Sequence, residues 1–94
     1  MELGGNNAAI VMEDADQEIA LKSCVFAAVG TAGQRCTTLR RIFLHESLYD
    51  KFVERMINAY KTIKIGNPLE QGVLMGPLHN KRGQKAFVDG IKEI

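Results

Sequence analysis

No sign of charge dominates this chain. Twelve basic residues stand against eleven acidic ones, for a net charge of +1. That balance excludes nucleic acid or an anionic membrane surface as the main partner. No apolar run approaches the roughly 20 residues needed to cross a bilayer, and no stretch reads as a signal peptide. Cysteine is scarce too, with only Cys24 and Cys36. Two thiols are too few for the disulfide framework of a small secreted domain, and their spacing matches no Cys-x-x-Cys redox pair. The expectation is reduced thiols in an intracellular protein, cytoplasmic or mitochondrial. A thiol-redox function through Cys24 and Cys36 has little support. Also missing are internal repeats, low-complexity tracts and a glycine pattern of the GxGxxG type that cradles a pyrophosphate.

What is present fits a globular chain. Apolar residues make up 46% and charged residues 24% of the 94, both ordinary values. This length allows one domain or a piece of one, burying about 60–65% of the surface its unfolded form exposes. Met1 runs directly into Glu2-Leu3-Gly4-Gly5 with no earlier element to begin a sheet. The chain is therefore expected to be a fragment.

Hydrophobic patterning then sets the order of elements. Paired glycines and asparagines at 4–7 mark a turn before Ala8-Ala9-Ile10-Val11-Met12, which reads as a short buried strand. Asp14 or Asp16 is placed to cap a helix. That helix is expected over Gln17–Gly30, with Ile19, Phe26 and Ala27 on one face and Leu21, Cys24, Val25 and Ala28 on another. It is nearly apolar all round beyond Ser23, which predicts deep burial. Leu39–His45 reads as a second strand, centred on Ile42-Phe43-Leu44. Ser47 and Asp50 resemble a capping box, opening a helix that carries Tyr49, Phe52, Val53, Met56, Tyr60 and Ile63 at spacings of three and four. Gly66-Asn67-Pro68 is a stop signal, residues 66–78 form a loop, and a last helix begins near Asn80. Strands alternating with helices predict an α/β fold with a parallel sheet and right-handed crossovers.

Two residues stand out chemically. Cys36 follows a Gly-Gln-Arg turn and precedes the second strand. A free thiol has a pKa of about 8.5, so reactivity needs nearby positive charge, backbone N–H groups or a base. A cysteine in this position is commonly structural, a small buried hydrophobe. Glu2 lies just before the first strand. In a strand–helix–strand unit both strands start at the same sheet edge, which brings Glu2 and Cys36 toward each other. Open α/β sheets usually bind ligands at the opposite, carboxyl edge, and that tension stays with the sequence. A carboxylate there would repel a thiolate but would serve as a base that activates water against a thioester. The alternative is a solvated terminal glutamate. Cys24, inside the apolar helix, reads as core. His45 and His79 are too isolated to join the cysteines in a metal site.

These motifs, in this order, resemble those of the aldehyde dehydrogenase superfamily. Glu2-Leu3-Gly4-Gly5-Asn6 is similar to its glutamate signature and Gly33-Gln34-Arg35-Cys36-Thr37 to its cysteine signature. The intervening helix, the run from Leu48 to Arg55 and Gly66-Asn67-Pro68 also match. Gly4-Gly5-Asn6-Asn7, the run Thr31–Thr38 and Gly76-Pro77-Leu78-His79 resemble the antiquitin branch, family 7, which oxidises α-aminoadipic semialdehyde in lysine catabolism.

The resemblance implies NAD-dependent oxidation of an aldehyde. Cys36 would attack the carbonyl to give a thiohemiacetal, hydride would pass to NAD, and Glu2 would activate water against the resulting thioester. The Cys36 N–H would supply half of an oxyanion hole. Glu2, Leu3 and Gly4 would border the nicotinamide. Arg35 would hold a distal substrate carboxylate in a two-bond fork, the alternative being a surface arginine. Thr37 would contact substrate or else cap local backbone. The resemblance makes residues 1–94 the first part of the catalytic domain, without the cofactor-binding domain, and implies a homo-oligomer, a tetramer, for the full-length enzyme. The 94 residues alone are expected not to turn over aldehyde. A second reading treats the chain as an inactive structural or subunit-docking module.

Overall fold

Small and β-branched residues at Ala8–Val11 form strand β1, and Arg41–Leu44 forms strand β2. The computed structural model describes Met1 and residues 4–94, so the expectations placed on Glu2 and Leu3 lie outside the described residues. The two strands pair in parallel, with Ala8 opposite Arg41 and Val11 opposite Leu44. Parallel neighbours need a crossover connection, and helix α1 (Gln17–Val29) supplies it. Helices α2 (Tyr49–Lys61) and α3 (Lys81–Glu93) follow. The result is an α/β unit around a two-stranded parallel sheet, in the predicted order.

Local chemistry explains the boundaries. Asp16, rather than Asp14, caps α1: its carboxylate accepts the Ile19 N–H at 3.0 Å. Asn80 caps α3 in the same way, accepting the Gly83 N–H at 2.9 Å. The expected Ser47–Asp50 box does not form. Ser47 instead turns its hydroxyl to His45 Nδ1 at 2.8 Å, and Leu48 stands at the cap position with no side-chain bond. Helix α2 also ends before its Gly-Asn-Pro signal. The Thr62 hydroxyl donates to the Ala59 carbonyl at 2.7 Å, and the following backbone bridges Ile65 to Met75.

The core is Val11, Leu21, Cys24, Leu48 and Phe52. Leu21 and Cys24 are three residues apart and so share one face of α1. Phe52, from the centre of the α2 stripe, is fully buried, a contribution of about 1.5–3 kcal/mol. Arg55 of α2 pairs with Glu18 of α1 beside this contact.

Burial is one-sided, and this corrects two expectations. Ile10 and Met12 of the first strand segment are exposed, as are Ile19 and Phe26 of α1. Side chains alternate across a strand, and among the described residues α1 and α2 cover only one face of it. The face of α1 that carries Leu21 and Cys24 is buried; the face that carries Ile19 and Phe26 is not.

Candidate active site

The segment between α1 and β2 is built to reverse the chain within a few residues. Thr31, Ala32 and Gly33 all take left-handed conformations, with φ of 57°, 54° and 74°. Glycine enters that region freely, but a β-branched threonine rarely does. Gly30 leaves room for the Arg35 side chain. A Cβ there would overlap the Arg35 guanidinium, which folds back over the end of α1.

Residues 35–38 then close a turn on themselves. The Thr38 N–H donates to the Arg35 carbonyl at 3.1 Å, and the Arg35 N–H donates to Thr38 Oγ1 at 3.1 Å. Thr38 is buried, at 3% exposure, whereas Cys36 and Thr37 are exposed. The backbone-capping role offered for Thr37 thus belongs to its neighbour Thr38. The Leu39 N–H donates to the Ala27 carbonyl at 3.0 Å and ties the turn to the end of α1.

Two carboxamides anchor this turn from outside. The Asn7 side chain donates to the carbonyls of Cys36 at 2.6 Å and Thr38 at 3.0 Å. The start of β1 and the cysteine turn therefore meet at one sheet edge, as the parallel topology predicts. Gln34 donates to the Thr31 and Pro77 carbonyls at 3.1 and 3.3 Å and accepts the His79 N–H at 2.7 Å. It links the turn to the segment before α3. Sequence reasoning took Asn7 only as a turn marker and gave Gln34 no role. An asparagine just before one parallel strand, with a cysteine turn just before the other, was the signal available for Asn7.

Positive charge is committed elsewhere. The Arg35 guanidinium lies over the Phe26 ring at 5.4 Å. This accounts for part of what α1 leaves uncovered, and Arg35 Nε is buried without a partner among the described residues. Arg40 donates to the Gly33 carbonyl at 3.4 Å, and Arg41 donates to the Asn6 carbonyl at 3.2 and 2.5 Å.

The two thiols differ sharply. Both are free; Cys36 is exposed and Cys24 is buried. Burial raises the Cys24 thiol above the ordinary thiol range. The Tyr60 hydroxyl is raised as well, first by burial and then by the charge Cys24 would carry. Among the described residues no cluster of His, Cys, Asp and Glu is suited to a metal ion.

The β1–α1 turn offers a dinucleotide pyrophosphate an unfavourable site. The turn from β1 into α1 carries Glu13, Asp14 and Asp16, which would repel a pyrophosphate at the helix N-terminus instead of attracting it. Behind the cysteine turn lies an open apolar groove of about 840 Å³, lined by Val29, Leu39, Tyr60, Met75 and Phe87 among others. Cys36 does not line it.

Known proteins share this arrangement. The aldehyde dehydrogenase family model matches residues 1–94. An aldehyde dehydrogenase family 7 member A1 homolog from Dictyostelium discoideum is 64% identical over the whole chain, which covers 18% of that protein. The rat alpha-aminoadipic semialdehyde dehydrogenase is 57% identical over 99% of the chain and 17% of its own length. Proline utilization A from Bdellovibrio bacteriovorus superposes with a TM-score of 0.93 at 33% identity, over 98% of the chain and 10% of that structure. The chain thus spans less than a fifth of the curated relatives it matches. A parallel strand pair with a thiol-bearing turn at its leading edge, matched end to end in sequence, places the chain in the aldehyde dehydrogenase family.

Proposed function

We propose that these residues are the thiol-bearing first part of the catalytic domain of an NAD-dependent aldehyde dehydrogenase, with Cys36 as its nucleophile. The observation that carries this reading is the contrast at the turn: Cys36 is exposed while the backbone on both sides of it is hydrogen-bonded. A nucleophile needs an accessible sulfur on a fixed frame. Addition of the Cys36 sulfur to an aldehyde forms a C–S bond as the carbonyl π bond opens onto oxygen. Donors held beside that oxygen would stabilise the charge that develops on it.

Oxidation beyond this adduct needs a hydride acceptor. In this reading the acceptor is NAD, as the family resemblance suggests. This reading assigns the cofactor domain to the remainder of a full-length enzyme. Glu2 is the water-activating base of this reading, with Leu3 and Gly4 beside it. Arg35 is the substrate carboxylate partner. Its guanidinium folds back over Phe26 and Gly30 and in this reading turns from that ring to meet the substrate. Thr37, exposed next to Cys36, is the second substrate contact. The likeness to the rat alpha-aminoadipic semialdehyde dehydrogenase favours a semialdehyde that carries a distal carboxylate, such as α-aminoadipic semialdehyde.

In the complete enzyme carrying this segment, Cys36→Ala abolishes aldehyde oxidation and Cys24→Ala retains it. Arg35→Gln raises KM for a carboxylate-bearing semialdehyde by roughly tenfold, and much less for a neutral aldehyde of similar length. Activity that survives Cys36→Ala overturns the reading.

A further inference from the structure

We propose that Asn7 is a positioning residue for Cys36. The turn of residues 35–38 is closed internally by Arg35 and Thr38, tied to α1 through Leu39 and to the segment before α3 through Gln34. Asn7 fixes it to the start of β1. Its side-chain nitrogen donates to the Cys36 and Thr38 carbonyls, while its own carbonyl accepts the Arg40 and Arg41 N–H groups at 3.2 and 3.1 Å. One half-buried residue at the start of β1 thus makes four hydrogen bonds to the segment that holds the thiol.

The residue type follows from the partners. Two carbonyl oxygens need two hydrogens, and among short side chains a carboxamide NH₂ supplies them. Aspartate would set a carboxylate against both carbonyls, and serine would supply one donor for two acceptors. The Cys36 carbonyl and its side chain share one Cα, so fixing the first restricts where the sulfur and the neighbouring N–H can lie. Asn7 acts through the backbone and touches neither sulfur nor substrate. The inference rests on the aldehyde reading only for its catalytic consequence; the clamp itself is a property of the fold.

Two measurements on Asn7→Ala test it. The first is amide hydrogen exchange at Thr38, whose N–H closes the turn, with Phe52 of α2 as the reference for the rest of the fold. The expected result is exchange at Thr38 faster by about tenfold or more, from the loss of two hydrogen bonds, with Phe52 unchanged. The second is protection of Cys36 from iodoacetamide by a small semialdehyde, read by peptide mapping. Half-protection should need about tenfold more aldehyde in the variant. Thr38 exchange at the parent rate overturns the proposal. Aldehyde protection that stays at the parent level while Thr38 opens overturns the positioning role and leaves only a structural one. A complete enzyme with Asn7 intact whose Cys36 is not protected by aldehyde defeats the aldehyde reading, and the exchange measurement still decides the clamp. If Asn7→Ala raises exchange at Phe52 as well, Asn7→Ser, which keeps one donor, decides: faster Thr38 exchange with Phe52 protected supports the clamp, and parent exchange overturns it.

Discussion

Cys24 and Cys36 sit twelve residues apart in sequence and in opposite settings. Cys24 lies inside α1 among Val11, Leu21, Leu48 and Phe52, where loss of water raises its thiol. Cys36 lies on a turn whose backbone is bonded in several directions and whose side chain is left exposed. The same functional group is a small hydrophobe in one region and a solvent-exposed thiol in the other. Side-chain packing surrounds the first, and backbone hydrogen bonding frames the second.

Changes that break this contrast should rank by how much of either frame they remove. The largest effect is expected from Phe52→Ala, which empties the centre of the core around Cys24 and costs about 3–5 kcal/mol. The urea midpoint should fall accordingly, and Cys24 should become open to alkylation. Alkaline pH comes next. The folded chain holds the Cys24 and Tyr60 protons more tightly than the unfolded chain does. The stability they contribute is full below the unfolded thiol value of about 8.5 and is lost as pH rises through the raised folded values. The urea midpoint should decline through this window, and Cys24→Ala should make the decline shallower.

Asp16→Ala removes the cap of α1 and should cost about 1 kcal/mol, seen in circular dichroism and thermal melting. It loosens the Cys24 region from its far end and should leave exchange at Thr38 within about twofold of the parent. The smallest change sharpens the contrast without breaking it. Glu18→Gln removes a surface pair with Arg55 and should cost no more than about 0.5 kcal/mol, less still in high salt.

Much of the fold was legible in the residues. The spacing of Phe52, Val53 and Met56 located α2 and its buried stripe, and Asp16 and Asn80 announced two helix starts. Ser47 misled because a nearby imidazole competes for its hydroxyl, a contact fixed by the path of the chain after β2. The burial of α1 was overread. Apolar residues all round a helix say that it can be covered, and here one face finds partners while Ile19 and Phe26 do not. For the site, the pairing of Cys36 with Glu2 suggested the chemistry, and the family resemblance suggested the part given to Arg35. The roles of Asn7, Gln34 and Thr38 were hidden because each bonds to backbone, and backbone positions follow from tertiary structure. Glu2 and Leu3 stay as the sequence and the resemblance left them.

The central claim is that the fold withholds one thiol and presents the other. It is tested most directly by competitive alkylation of the native chain with iodoacetamide near neutral pH, with both cysteines quantified by peptide mapping. The account predicts that Cys36 reacts at least about a hundredfold faster than Cys24, whose modification must await opening of the core. Equal, slow reaction of the two would contradict it.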